Sequence, residues 1–294
     1  MESGFLSGIF AFIFWGFVTI YWKELPMFDA YELLGHRIIW GIGTIFCFFL
    51  FTRPIEKIKS CLDSKTKRIG ICLSAALIFS NWFVFVWAIG HGHVLETSIG
   101  YFLNPLISVA LGVLVLGENL RLKQKVSVGL AFFGMIILFL SGVGNPFISL
   151  FLAFSFALYG LVRKKLNIPA IEGLFLEMLI CLIPFLIFFV LREESKNISF
   201  FKVDLYEQIL VVFAGLVTLT PLIAFNHSVK KIPLSTIGLL QYIAPSLQFL
   251  LAVFVYKEDF TNVHVFSFIF IWSALLLFSY DLISLTKIQR VAND

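Results

Sequence analysis

The sequence predicts an all-α integral membrane protein: ten transmembrane helices forming two inverted five-helix repeats around a central cavity. Three observations predict it: a composition too apolar for a soluble chain, ten separable apolar stretches, and an internal echo at an offset of about 140 residues.

Of 294 residues, 60% are hydrophobic and 14% charged, with a mean hydropathy of +0.96. Soluble domains carry roughly 45–50% apolar and about 25% charged residues. A chain this apolar cannot coat a water-facing surface with polar groups. Phenylalanine alone supplies 36 residues, which suits lipid-facing and helix-packing surfaces. Cys47, Cys61, Cys72 and Cys181 show no CxxC or Cys/His ligand spacing, so neither a disulfide framework nor a metal site is expected. The opening MESGFLSGIF lacks a basic n-region and reads as a first membrane helix, not a cleaved signal.

About 20 apolar residues carry a helix across a hydrocarbon core of roughly 30 Å. Such stretches fall at 4–22, 31–51, 69–90, 94–116 and 124–142, then at 147–163, 171–190, 207–228, 233–256 and 262–282. Connections as short as Gly92-His93 and Gly144-Asn145-Pro146 make successive helices antiparallel neighbours. With the N-terminus in the cytoplasm, sixteen Lys and Arg fall on inside loops, Arg163, Lys164 and Lys165 among them. Five (Lys23, Arg192, Lys196, Lys202 and Lys257) fall outside, and Arg37 lies within a helix. This bias predicts two cytoplasmic termini, a multi-pass protein of the cell's inner (plasma) membrane, and an even number of spans.

The echo pairs PLISVALGVLVLGE (105–118) with PSLQFLLAVFVYKE (245–258), and Thr97-Ser98-Ile99-Gly100 with Ser235-Thr236-Ile237-Gly238. Trp15-Gly16 and Tyr159-Gly160 match in the same order, as do Leu25-Pro26 and Ile168-Pro169. The expected division is 1–143 and 144–294, together one transport domain. Five spans is an odd number, so the second half enters the membrane upside down. Such symmetry gives a chain two nearly equivalent states, open to one side or the other of a site near the midplane.

Polar residues inside spans then become the candidates. Pro105 and Pro245 sit midway along matching helices, where a proline frees a carbonyl; they read as hinges or as packing kinks. Asn104 precedes the first. Arg37 lies roughly 10 Å deep by helix rise. An arginine there costs at least about 2.5–3.5 kcal/mol on insertion scales unless it faces the bundle interior or water. Glu177 occupies the matching position of the seventh span. Inversion sets Glu177 toward the cytoplasm and Arg37 toward the outside, so a direct pair does not follow from their signs. Each is open to three readings: holding an anionic or zwitterionic substrate, carrying a coupling proton, or snorkelling. His36 adjoins Arg37, and Glu32 shares its face one turn earlier. Asn81, Trp82, Tyr101, Gln241 and Tyr242 are mid-helix polar or aromatic residues suited to line a pathway. His91 and His93 read as an exposed loop. Glu118 and Glu258 close matching helices, as conformational locks or as solvated ends.

NWFVFVWAIGHGHVLETSIGYFLNPL (81–106), YELLGHRIIW (31–40), FSFALYGLVRKK (154–165) and GLLQYIAPS (238–246) together resemble the RarD-type branch of the drug/metabolite transporter superfamily, which is built of EamA domains. The similarity runs nearly the whole length. It implies ten helices in two inverted repeats and alternating access to a central cavity. Members of the superfamily export amino acids, metabolites or drugs, and the RarD name is tied to chloramphenicol sensitivity. With no P-loop or soluble ATPase segment, the expectation is a secondary transporter of small amphipathic, amino-acid-like or drug molecules, with a proton or other ion as possible coupling partner. A channel or a non-transporting membrane sensor is the alternative. Missing GxSxG and HExxH motifs argue against an intramembrane enzyme. The basic clusters are explained by topology, so no nucleic acid is expected, and no cofactor.

Overall fold

The computed structural model describes residues 2–52, 54–140, 146–191, 198–257 and 262–291. Arg53, Arg192, Lys196, Glu258 and the 143/144 division lie outside the described residues. The first half holds α1 (Glu2–Lys23), α2 (Ala30–Thr52), α3 (Ile55–Leu62), α4 (Lys65–Gly90), α5 (Val94–Leu116) and α6 (Leu122–Leu140). The second holds α7 (Pro146–Leu166), α8 (Ala170–Leu191), α9 (Leu205–Lys231), α10 (Leu234–Gln241), α11 (Ile243–Leu250) and α12 (Asn262–Val291). A short 3-10 turn, Ser199–Phe201, precedes α9, and a π-helical stretch, Leu251–Val255, follows α11. Among the described residues ten helices are long and apolar enough to cross a membrane, α10, α11 and the π-helical stretch together forming one span, Leu234–Val255. No strand occurs among the described residues.

The expected spans are recovered within a few residues at most ends. The extensions at basic ends share one cause. Hydropathy marks where a helix leaves the hydrocarbon, whereas Lys and Arg are good helix formers and carry it further. Thus α4 begins at Lys65, capped by the Ser64 hydroxyl, which accepts from the Lys67 amide. α7 and α9 run on through their basic ends to Leu166 and Lys231. At the other end of α9, Asp204 and Glu207 form a reciprocal capping box. α3 was no expected span: at eight residues it is too short to cross, and it leads from α2 into α4.

Packing follows the repeat. α1, α2, α4, α5 and α6 correspond in order to α7, α8, α9, the α10–α11 span and α12. α1 packs on α9 as α7 packs on α4; α2 on α9 as α8 on α4; α5 on α7 as α1 on α11. α2–α8, α5–α10 and α6–α12 are the self-related contacts. The two largest apolar clusters are one centred on α1, α2, α4, α8 and α9 and one among α5, α6, α10 and α12. Leucine, isoleucine and phenylalanine ends such as Phe51, Leu114 and Leu191 point outward. An apolar exterior over a hydrogen-bonded helical backbone is what a bilayer requires.

At the α2–α9 crossing, a Cβ on Gly215 would sit 2.3 Å from the Gly41 amide nitrogen and from the Trp40 carbonyl carbon. Only glycine permits that approach of two backbones. It brings the middle of α9, with Thr218, against the turn of α2 that carries Arg37.

Candidate functional site

Arg37 lies on the second turn of α2. Its Nε donates to Thr218 Oγ1 of α9 at 3.0 Å. Its guanidinium lies 4.9 Å from the ring of Trp82 on α4 and 5.3 Å from that of Trp22 at the end of α1. Each such contact contributes roughly 0.5–2 kcal/mol, more as water is excluded. The neighbouring ionisable side chain is Tyr101 on α5, which meets Phe85 edge-on at 5.6 Å. Four spans drawn from both halves, α1, α2, α4 and α9, therefore converge on one cation. Neither Nη atom hydrogen-bonds to a described residue, and neither is among the sealed, unsatisfied side-chain atoms. The Nη fork is accessible and unused.

His36 belongs to a different cluster. Glu32 accepts the backbone amides of Ser199 and Phe200, each at 3.0 Å, and so pins the loop before α9 onto α2. His36 Nε2 stands 3.6 Å from Glu32, and its Nδ1 accepts from Trp40 Nε1 at 3.0 Å. Assigned in this way, the ring presents its Nε2 proton to the carboxylate.

Glu177 is bound elsewhere, and its partner corrects the sequence reading. Arg163, assigned to a cytoplasmic loop, is 1% exposed. Its Nη1 donates to Glu177 at 3.2 Å, Nε to Asn226 at 3.1 Å, and Nη2 to the Ala170 carbonyl at 3.3 Å. Ser74 and Tyr159 also donate to Glu177, and the Asn226 amide donates to Tyr159. The cluster ties α4, α7, α8 and α9 together. Asn226 lies eight residues beyond Thr218 on α9, roughly 12 Å along the axis toward the lysine-bearing end. Arg37 and Glu177 occupy separate layers. Arg163 was missed because it opens an Arg-Lys-Lys run at a hydropathy boundary; its four-residue spacing from Tyr159 was the one available signal.

Asn104 and Gln241 are brought together across the α5–α10 contact through Ser108, which donates to Asn104 at 3.2 Å and accepts from Gln241 at 3.4 Å. Asn81 turns away from its neighbour Trp82, its amide donating to the Leu152 carbonyl and Ser155 of α7. Tyr242 is fully buried in the α5–α6–α12 cluster. The two prolines differ. α5 runs unbroken through Pro105, whereas the matching span breaks at Tyr242, three residues before Pro245.

Glu118 is a lock. Gly117, left-handed at φ 68°, ends α5 and turns the chain back. The Glu118 carboxylate then accepts from the Leu234 amide (2.7 Å), the Ser235 amide (2.8 Å) and the Ser235 hydroxyl (2.7 Å) at the start of α10. An anion on a helix N-terminus satisfies orphan donors and faces the positive end of the dipole. His93 contacts Glu96 at 3.1 Å, and among the described residues no three His, Cys, Asp or Glu side chains converge.

The sequence profile of the EamA-like transporter family matches residues 2–140 and again 145–280. The chain belongs to that family. Within it stand the RarD-type relatives. Protein RarD of Streptomyces exfoliatus is 37% identical over 98% of this chain and 92% of its own. Protein RarD of Escherichia coli (strain K12) is 36% identical over 96% and 95%, and the uncharacterized transporter YojE of Bacillus subtilis (strain 168) is 39% identical over 95% and 94%. The chain is thus a RarD-type member of the drug/metabolite transporter superfamily. A solved crystal structure 16% identical in sequence covers 95% of this chain and 98% of its own at a TM-score of 0.76, which shows the shared fold.

Proposed function

We propose that this chain is a secondary transporter of the plasma membrane that exports small amphipathic molecules by alternating access, with Arg37 at the centre of its pathway. The observation that carries the reading is the Arg37 cage: a cation held by α1, α2, α4 and α9, with an accessible Nη fork. Inverted halves supply two states around such a centre. In this reading residues 1–143 and 144–294 are the two halves, and the lysine-rich face bearing both chain ends is cytoplasmic. The Arg163–Glu177 cluster and the Glu118 lock then both lie toward the cytoplasm, so the described conformation is sealed on that side. No catalytic step is assigned to any residue.

Coupling to a proton is assigned to Glu177. Its carboxylate takes a proton only when the seal parts, because protonation beside Arg163 would leave a buried charge uncompensated. Flux that answers an imposed pH gradient equally in wild type and Glu177→Gln overturns this assignment. The transport reading is tested with purified protein in liposomes loaded with a mixed cell extract, using mass spectrometry of what escapes. Selective, saturable loss of a few solutes, with counterflow, is expected. Unsaturable leakage indicates a channel instead, and silence under every imposed gradient sinks the reading.

A further inference from the structure

The charged side chains that are buried among the described residues are Glu32, Glu96, Arg163, Glu172, Glu177 and Asp281. Each already has a partner. Glu32 holds two loop amides, and Glu96 contacts His93. Glu172 lies 3.8 Å from Lys57, Asp281 pairs with Arg121, and Arg163 pairs with Glu177. Lys164, the next cation along α7, donates to the carbonyls of Val229 and Ile232. Arg37, half-buried, stands apart, with one neutral hydroxyl and two indole rings in contact and the Tyr101 phenol near by.

A half-buried guanidinium inside a membrane span without a counter-ion is costly, and indole faces return only part of that cost. A fork that reaches water is open to a partner that comes and goes. From this balance we infer that the substrate is a net anion: a small carboxylate with an apolar or aromatic body, completing the ion pair that the protein leaves unfinished. The Nη fork suits the two oxygens of one planar carboxylate. Nε is occupied by Thr218, which fixes the plane of the fork. Trp22 and Trp82 wall the guanidinium and offer apolar surface to the body of the ligand. The same balance disfavours amines and zwitterions. Every buried described carboxylate is spoken for, so an ammonium group finds no anion, and the indole faces that might hold it already face Arg37.

The inference deepens the transport reading and rests on Arg37 lining the pathway, so binding and flux are measured separately. The binding probes are phenylacetate, hexanoate, phenylacetamide and phenethylamine, titrated against purified protein with tryptophan fluorescence and thermal shift. The carboxylates are expected to quench and stabilise at concentrations about tenfold or more below those needed for the amide, the size of a charge-assisted hydrogen bond. The amine is expected to do neither. Arg37→Gln is expected to erase the preference, and Arg37→Lys to retain part of it. The wild-type comparison stands even if a variant fails to fold. Equal binding of acid and amide, preference for the amine, no carboxylate response, or preference undiminished in folded Arg37→Gln each overturn the inference. In liposomes, carboxylate binding without counterflow sinks the carrier reading and leaves the anion site standing; counterflow confined to amines or zwitterions does the reverse.

Discussion

Glu177 and Arg163 share a compartment from which water is excluded, so removing either strands the other. Glu177→Gln or Arg163→Met alone is expected to destabilise the protein by about 3–5 kcal/mol, the penalty of an uncompensated buried charge. The combined Arg163→Met, Glu177→Leu replacement is expected to lose much less than the sum. Denaturation in detergent micelles reads both, and strictly additive losses would contradict a coupled pair. At this scale the sequence singled out Arg37 and Trp82, which the structure brings together, because a mid-helix guanidinium needs explaining and a mid-helix indole is a poor interfacial anchor. It did not reveal Trp22 or Thr218. Trp22 ends its span, where a tryptophan has an ordinary interfacial reason to be. Thr218 matters only because α9 crosses α2 at that height, and nothing in either segment records the crossing. Arg163 was hidden by its basic neighbours.

Helices are the scale at which the sequence spoke most fully, since length, hydropathy and Lys/Arg placement are properties of one segment. What it did not settle was how each helix meets the next. The prolines make the point: an identical residue at matching positions leaves α5 continuous and coincides with a break between α10 and α11. Glu118 was open between lock and solvated end, and its carboxylate holds the start of α10 by three hydrogen bonds. Glu118→Ala is expected to speed hydrogen exchange of the Leu234 and Ser235 amides by about ten- to a hundredfold, equivalent to losing roughly 1–3 kcal/mol of hydrogen bonding. Exchange at wild-type rates would show that water replaces the carboxylate at no loss. Gly215→Ala is expected to be far more damaging than Gly41→Ala. At Gly215 the added carbon meets α2 backbone at 2.3 Å, whereas at Gly41 its nearest neighbour is the flexible end of Met178 at 3.6 Å. Comparable thermal midpoints for the two would refute the close crossing.

At the scale of the whole molecule, the inverted repeat was readable because it is written twice, whereas the charge balance around Arg37 was not, because it depends on which carboxylates are already taken. The proposed orientation has a direct check. Cysteines placed at Ser60 and Lys202 lie on opposite faces; on intact cells a membrane-impermeant maleimide is expected to label Lys202→Cys and spare Ser60→Cys, and the reverse pattern inverts the topology. The α2–α9 crossing has a mechanical consequence as well. Two backbones in contact, with no side chain between them, cannot come closer and gain nothing by sliding, but they can tilt. If the halves rock between two states, the contact of Gly215 with Gly41 is the expected pivot. Spin labels set beside it are expected to keep their separation when substrate is added, while labels at the far ends of α2 and α9 trade distance in opposite directions, as the two arms of a seesaw do.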